Sequence, residues 1–164
     1  MQKWIETLEQ NNILLVKKLI KEGNNVNDCN EQGENVLAIA IQKRCDKTII
    51  DLLIEHGADI FSKDESGISI FDQAIIFSNV ELTQKMIEQG VNVNVTSRES
   101  KMTPLMEAAC YGRCEVAQIL LDNGADMNAK DIQGYSAADF ARRMRKKKMT
   151  ELFIKNYENH KSVK

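Results

Sequence analysis

Apolar and polar positions along this chain recur in a fixed order. Four amphipathic runs, LVKKLIKEG, DLLIEHG, TQKMIEQG and QILLDNG, end at Gly23, Gly57, Gly90 and Gly124, an almost constant spacing. In the first unit, Ile13, Val16, Leu19 and Ile20 have the three- and four-residue spacing that turns one helix face to a core. A glycine after such a run supplies the left-handed conformation that a helix C-terminus uses. Asn35, Ser69, Thr103 and Ser136 recur at another register, and all four belong to the class whose side-chain oxygen caps a helix start. Pro104 follows Thr103 at the first helical position, where its missing N–H costs nothing. Short helices are therefore predicted through VLAIAI, IFDQAI, PLMEAA and AADFAR, each followed by a break and a second helix. Polar turns then carry Gly33, Gly67, Lys101 and Gly134, a second series trailing the first glycine series. A unit this small cannot bury its apolar faces alone, so the period predicts a stack.

The segment TPLMEAACYGRCEVAQILLDNGADMN (103–128) resembles the ankyrin repeat: a TPL opening, AA, a break, an amphipathic helix and GAD-x-N. Residues 34–61, 68–94 and 135–156 are weaker matches in the same phase, and 4–27 resembles an amino-terminal capping repeat. The resemblance covers roughly residues 3–156. It implies an all-α solenoid of about five helix-turn-helix repeats with hairpin-like turns, at 1–28, 29–61, 62–94, 95–128 and 129–157. The first and last are expected to act as caps of a single domain, 1–157, with a short tail at 158–164. Three departures stand out. The family's histidine is replaced by Ala38, Asp72, Met106 and Asp139, so its hydrogen bonds between repeats must come from elsewhere. An extra residue enters the helix–helix break at QKRCDKT. Another enters the turn VTSRESK, where Lys101 replaces glycine and a longer finger is expected.

Composition changes this picture little. Aromatic residues are 5% of the 164 and there is one proline, which favours helix over sheet. The apolar runs are too short to span a bilayer, and MQKWIETLEQNN lacks the apolar stretch of a secretory signal. Four irregularly spaced cysteines then read as free thiols in a reducing, cytoplasmic setting. Charge is more informative. The run RRMRKKK, holding Arg142, Arg143, Arg145, Lys146, Lys147 and Lys148, carries six of the 22 basic residues. The rest of the chain has 16 basic and 24 acidic residues, a net charge of −8. Its bland reading is the solvated face of a capping repeat. The sharper readings are a patch for an acidic protein surface or, against the acidic body, for nucleic acid or an anionic membrane.

Little here looks like an active site. In CYGRC, Cys110 and Tyr111 should end one helix and Cys114 start the next, with Cys114 as a small core residue. The spacing is not that of a zinc knuckle, so no metal is expected. His56 precedes a capping glycine, where its charge can favour a helix C-terminus, and His160 lies in the expected tail. Without a nucleophile, an acid–base pair or a phosphate loop, no enzyme and no cofactor are expected. A haem-handling accessory protein is the alternative from another class, with Tyr111, Cys110 and His56 as candidate ligands.

The resemblance also implies where a partner would sit: on the turn residues and the last residues of each first helix. In the second repeat these are polar, Glu31, Gln32, Glu34, Gln42 and Lys43. From the third to the fifth they include Ile68, Ile76, Phe77, Met102, Tyr111, Ile132, Tyr135, Arg143 and Met144. That many apolar groups at water-facing positions points to a non-catalytic binding module, an adaptor, inhibitor or accessory protein working as a monomer. Its protein partner would lie on the concave face of repeats three to five. Glu31, Glu34, Glu65 and Glu99 would give that face an acidic rim. Extra bulk repacking a core that lacks the motif histidine is the competing explanation.

Overall fold

The computed structural model describes residues 1–96 and 99–161, with side chains through residue 159. The chain falls into two compact units, Met1–Phe77 and Ser78–Lys164. The first holds α1 (Gln2–Glu9), α2 (Ile13–Lys21), α3 (Val36–Gln42), α4 (Lys47–Glu55) and α5 (Ile70–Ile76). The second holds α6 (Val80–Glu88), α7 (Pro104–Tyr111), α8 (Cys114–Asp122), α9 (Ala137–Arg143) and α10 (Lys147–Lys161). The described residues are thus all-α, consistent with about five helix-turn-helix repeats, and within the units α1 pairs with α2, α3 with α4, α7 with α8 and α9 with α10. The last helix continues to Lys161, into the segment expected as a tail; residues 162–164 and the side chain of His160 lie outside the described residues.

Each unit is built in two layers. In the first, α1, α3 and α5 stack side by side, while α2 and α4 form the layer behind them. In the second, α7 stacks on α9, and α6, α8 and α10 form the outer layer. Both cores use the predicted helical spacing. Trp4, Leu8, Val16, Leu37, Ile49, Leu53 and Phe71 are fully buried in the first, and Met86, Leu105, Met106, Val116 and Leu120 in the second. Each such aliphatic side chain contributes about 1.5–3 kcal/mol relative to exposure. Trp4 also spends its polar atom, its Nε1–H donating to the Asn25 carbonyl at 3.1 Å.

All four predicted caps form. The side-chain oxygens of Asn35, Ser69, Thr103 and Ser136 accept the backbone N–H of Ala38, Asp72, Met106 and Asp139. The residues standing in for the motif histidine complete this geometry differently. Asp72 and Asp139 accept back from the backbone N–H of Ser69 and Ser136, both at 2.8 Å. Each thereby closes a capping box. Met106 offers only its sulfur to the Thr103 N–H, at 3.4 Å. Ala38 offers nothing, and there the cap itself bridges repeats: Asn35 Nδ2 donates to Ser62 Oγ at 2.7 Å and to the Asp59 carbonyl at 3.2 Å.

The turns are pinned by one recurring device. Asn30, Asp64 and Asp131 each accept two backbone N–H groups on one side-chain oxygen, from Gln32 and Glu34, Ser66 and Ile68, and Gln133 and Tyr135. Neighbouring turns are joined by the Glu65 N–H to the Gln32 carbonyl, and by the Ile132 N–H to the Ser100 carbonyl, both 3.0 Å. In the turn with the inserted residue, Ser97 and Arg98 lie outside the described residues, while Lys101 adopts φ 53° where the other repeats have glycine. The breaks between paired helices share a left-handed residue as well: Asn11, Arg44, Ser78, Gly112 and Arg145. Only Gly112 does so without a Cβ penalty. It also faces the Lys146 stem, whose Cδ would lie 3.0 Å from an added Cβ.

Candidate functional site

The expected contact residues fall into both units. Ile68, Ile76 and Phe77 belong to the first, and all three are half-buried. Met102, Tyr111, Ile132, Tyr135, Arg143 and Met144 belong to the second. Among these, Tyr111, Ile132 and Met144 are large apolar side chains left 46%, 62% and 51% exposed. Tyr111 ends α7 and Met144 caps the C-terminus of α9, and the two helices pack against each other. Met102 and Tyr135 sit deeper, both half-buried.

Cations cover the aromatic rings here. The Arg143 guanidinium lies 4.2 Å above the Tyr135 ring, whose edge meets Phe140 with centroids 6.1 Å apart. Arg113 approaches the Tyr111 ring at 6.0 Å. Sequence reasoning missed Arg113, although its position two residues after Tyr111 and next to a break glycine was a usable signal. Tyr135 therefore serves packing as well as surface, while Tyr111 keeps much of its ring in water.

The basic run divides by function. Arg142 and Lys130 both pair with Asp139, whose carboxyl is held well below the usual carboxylate range by the Ser136 hydroxyl and backbone N–H and then by Arg142. Arg143 stacks, and the aliphatic stem of Lys146 packs by Gly112. Arg145, Lys147 and Lys148 project into solvent at the start of α10. The expected acidic rim and its neighbours behave otherwise. In the second repeat Glu34 accepts from Asn30 and from Gln42, Lys43 reaches Glu9 at 2.6 Å and Glu31 is exposed; Glu65 of the third repeat is exposed, as is Glu99 in the other unit.

The thiols sit at structural positions. All four are free; Cys29 is exposed, Cys45 buried, and Cys110 and Cys114 half-buried. Cys114 is thus less enclosed than a core residue would be. Burial, then Asp46, pushes the Cys45 thiol up to about 11; burial, then Glu107 and Asp131, raises that of Cys110. Neither is poised as a thiolate at neutral pH. His56 Nδ1 lies 2.9 Å from the Leu52 carbonyl in the first unit, while Tyr111 and Cys110 belong to the second. Among the described residues no three His, Cys, Asp or Glu side chains gather as metal ligands, and no helix is long and apolar enough to cross a membrane.

The far face of the last repeat departs from the expected polar cap. A groove of about 680 Å³ opens there, floored by Met127, Ala138, Phe153, Ile154 and Tyr157 and edged by Lys130 and Arg142. Ile154 and Tyr157 are both 54% exposed. Their spacing beyond the core positions Met149 and Phe153 was the signal available in the sequence.

Against known proteins, the family described as ankyrin repeats (3 copies) matches three overlapping stretches, 5–97, 46–131 and 73–162. Among curated relatives, Dauer abnormal formation protein 25 of Caenorhabditis elegans is 35% identical over 111 residues, 68% of this chain and 28% of that protein. The E3 ubiquitin-protein ligase hecd-1 of Caenorhabditis elegans is 30% identical over 112 residues, 68% of this chain and 4% of the ligase. Rabankyrin-5 of Homo sapiens is 27% identical over 120 residues, 66% of this chain and 10% of that protein. The chain spans less than a third of the length of each.

Proposed function

The chain belongs to the ankyrin-repeat family, and from that premise we propose that it is a non-catalytic module whose protein partner sits on the last two repeats. Repeats of this family typically mediate protein–protein interactions. The observation that carries the location is the exposure of Tyr111, Ile132 and Met144 at positions the family turns towards its partners. Leaving three large apolar groups in water gives the isolated chain nothing, whereas covering them contributes to binding. Tyrosine and methionine suit an interface centre, and the surrounding arginines suit its rim.

The test is affinity capture from native cytosol with the chain as bait, compared with a Tyr111→Ser, Met144→Asp double variant shown to be folded by circular dichroism. A protein retained by the first bait and lost by the second supports the reading. Retention of the same protein by both baits removes these residues from the interface.

A further inference from the structure

We infer that the edge formed by the helix breaks of the last two repeats, residues 111–113 and 143–148, docks an acidic protein segment, with Tyr111 and Met144 as apolar anchors. The inference rests on the protein-binding reading and adds the chemistry of the partner. Its first support is unspent charge. Arg143, Arg145, Lys146, Lys147 and Lys148 have no carboxylate within ion-pair distance among the described residues, whereas Arg142, next in sequence, is held by Asp139. Glu115 of α8 and Glu151 of α10 pair with none of them, and the acids that share the surroundings of Cys110 with Lys146 are Glu107 and Asp131.

Helix stability does not account for these cations. A helix N-terminus carries the positive end of the backbone dipole and favours acidic side chains. Of the outer helices, α6 and α8 follow that rule, with Glu81 and Glu115 in their first turns, whereas α2 has no acidic first-turn residue and α4 begins with Lys47. In α10 the first turn has no acidic residue and begins with Lys147 and Lys148, so the dipole and the side chains add. Packing explains only Lys146, which lies against Gly112, and the stacked Arg143. What remains is a concentrated positive field with two exposed apolar side chains, Tyr111 and Met144, beside it.

That combination selects among polyanions. A nucleic acid or an anionic membrane extends well past the edge and meets a chain that is −8 outside the basic run. A short acidic segment needs only the local field, and its apolar residues can use Tyr111 and Met144. At this edge the described residues offer no run of free aromatic faces on which successive bases could stack: Arg113 lies over the Tyr111 ring at 6.0 Å and Arg143 takes the Tyr135 face.

The test is fluorescence anisotropy on the full chain with four probes: a fluorescein-labelled glutamate-rich peptide with a central Leu-Tyr pair, its lysine-for-glutamate counterpart, a single-stranded oligothymidylate, and phosphatidylserine vesicles. The acidic peptide should bind, weakening about tenfold when salt shortens the screening length to a few ångströms. Lys147→Glu with Lys148→Glu should weaken it at least about tenfold. That pair suits the α10 dipole, so the loss is not unfolding. Lys17→Glu with Lys18→Glu on α2 should leave binding unchanged. Unchanged affinity in the α10 variant, equal binding of the lysine peptide, or tighter binding of the oligothymidylate or vesicles would overturn the inference. So would self-association in sedimentation that the α10 variant abolishes, which would assign the edge to a second copy. A protein captured by wild type and by the α10 variant, but lost by Tyr111→Ser, Met144→Asp, would defeat the charge argument and leave the protein-binding reading intact.

Discussion

The second and the fifth repeats place different chemistry at the same register. In the second, the positions ending α3 and flanking its turn are polar and largely satisfied at home: Glu34 accepts from Asn30 and Gln42, and Lys43 pairs with Glu9. In the fifth, the equivalent positions carry the exposed apolar side chains of Met144 and Ile132 and the Arg143 guanidinium, which stacks on Tyr135 but meets no carboxylate among the described residues. A repeat fold holds backbone geometry constant while the surface is rewritten, so the difference between two such faces is a difference in use. Polar groups that satisfy one another have little left to offer a ligand, whereas exposed apolar groups beside uncompensated charge do.

The strongest way to break this comparison is to strip each face in turn. Removing Tyr111 and Met144 should weaken binding of the captured protein about a hundredfold, the loss of two interface anchors. Gln42→Ala with Lys43→Ala should change it less than about twofold. Equal losses measured by titration calorimetry would mean the two faces are used alike.

Stability should divide the other way. Asn35 both caps α3 and bridges to Ser62 and Asp59. Asn35→Ala should therefore destabilise the chain by about 2 kcal/mol, the upper end for a cap. Urea unfolding measures this. A value near zero would mean that the bridging bonds are replaced by water. Asp139 in the second unit makes a smaller, pH-dependent contribution. Its folded pKa is depressed, so the contribution is complete above the unfolded value, about 4, and is lost as pH falls from there towards the folded value. The carboxylate is partly exposed. Asp139→Asn should accordingly cost about 1 kcal/mol at pH 7, with the deficit shrinking below about pH 4. A deficit that stays constant on acidification would assign the loss to shape rather than charge. The Lys43–Glu9 pair lies in solvent. Lys43→Ala should therefore be nearly silent in the same unfolding measurement, a change of about 0.5 kcal/mol or less.

Register, helix order and caps were legible in the sequence because each is set by a side chain and the few residues beside it. A cap oxygen reaches an N–H three residues on, and a glycine after an amphipathic run marks its end wherever the helix is placed. The contact residues were legible only as positions, through the family pattern. Their environments were not, because exposure and pairing depend on what another repeat brings alongside. Nothing local distinguishes Tyr135, covered by Arg143, from Tyr111, which remains open.

The sequence by itself determined the all-α repeat, its phase, its breaks and the concentration of cations at 142–148, since all of these follow from short-range spacing and composition. The tertiary structure alone decided which cations are spent on Asp139, that the Asn35 cap also bridges to Ser62 and Asp59, and that the far face of the last repeat opens an apolar groove over Ile154 and Tyr157. The physical reason is the same for each: burial and pairing belong to two surfaces at once, and a sequence pattern describes them one at a time.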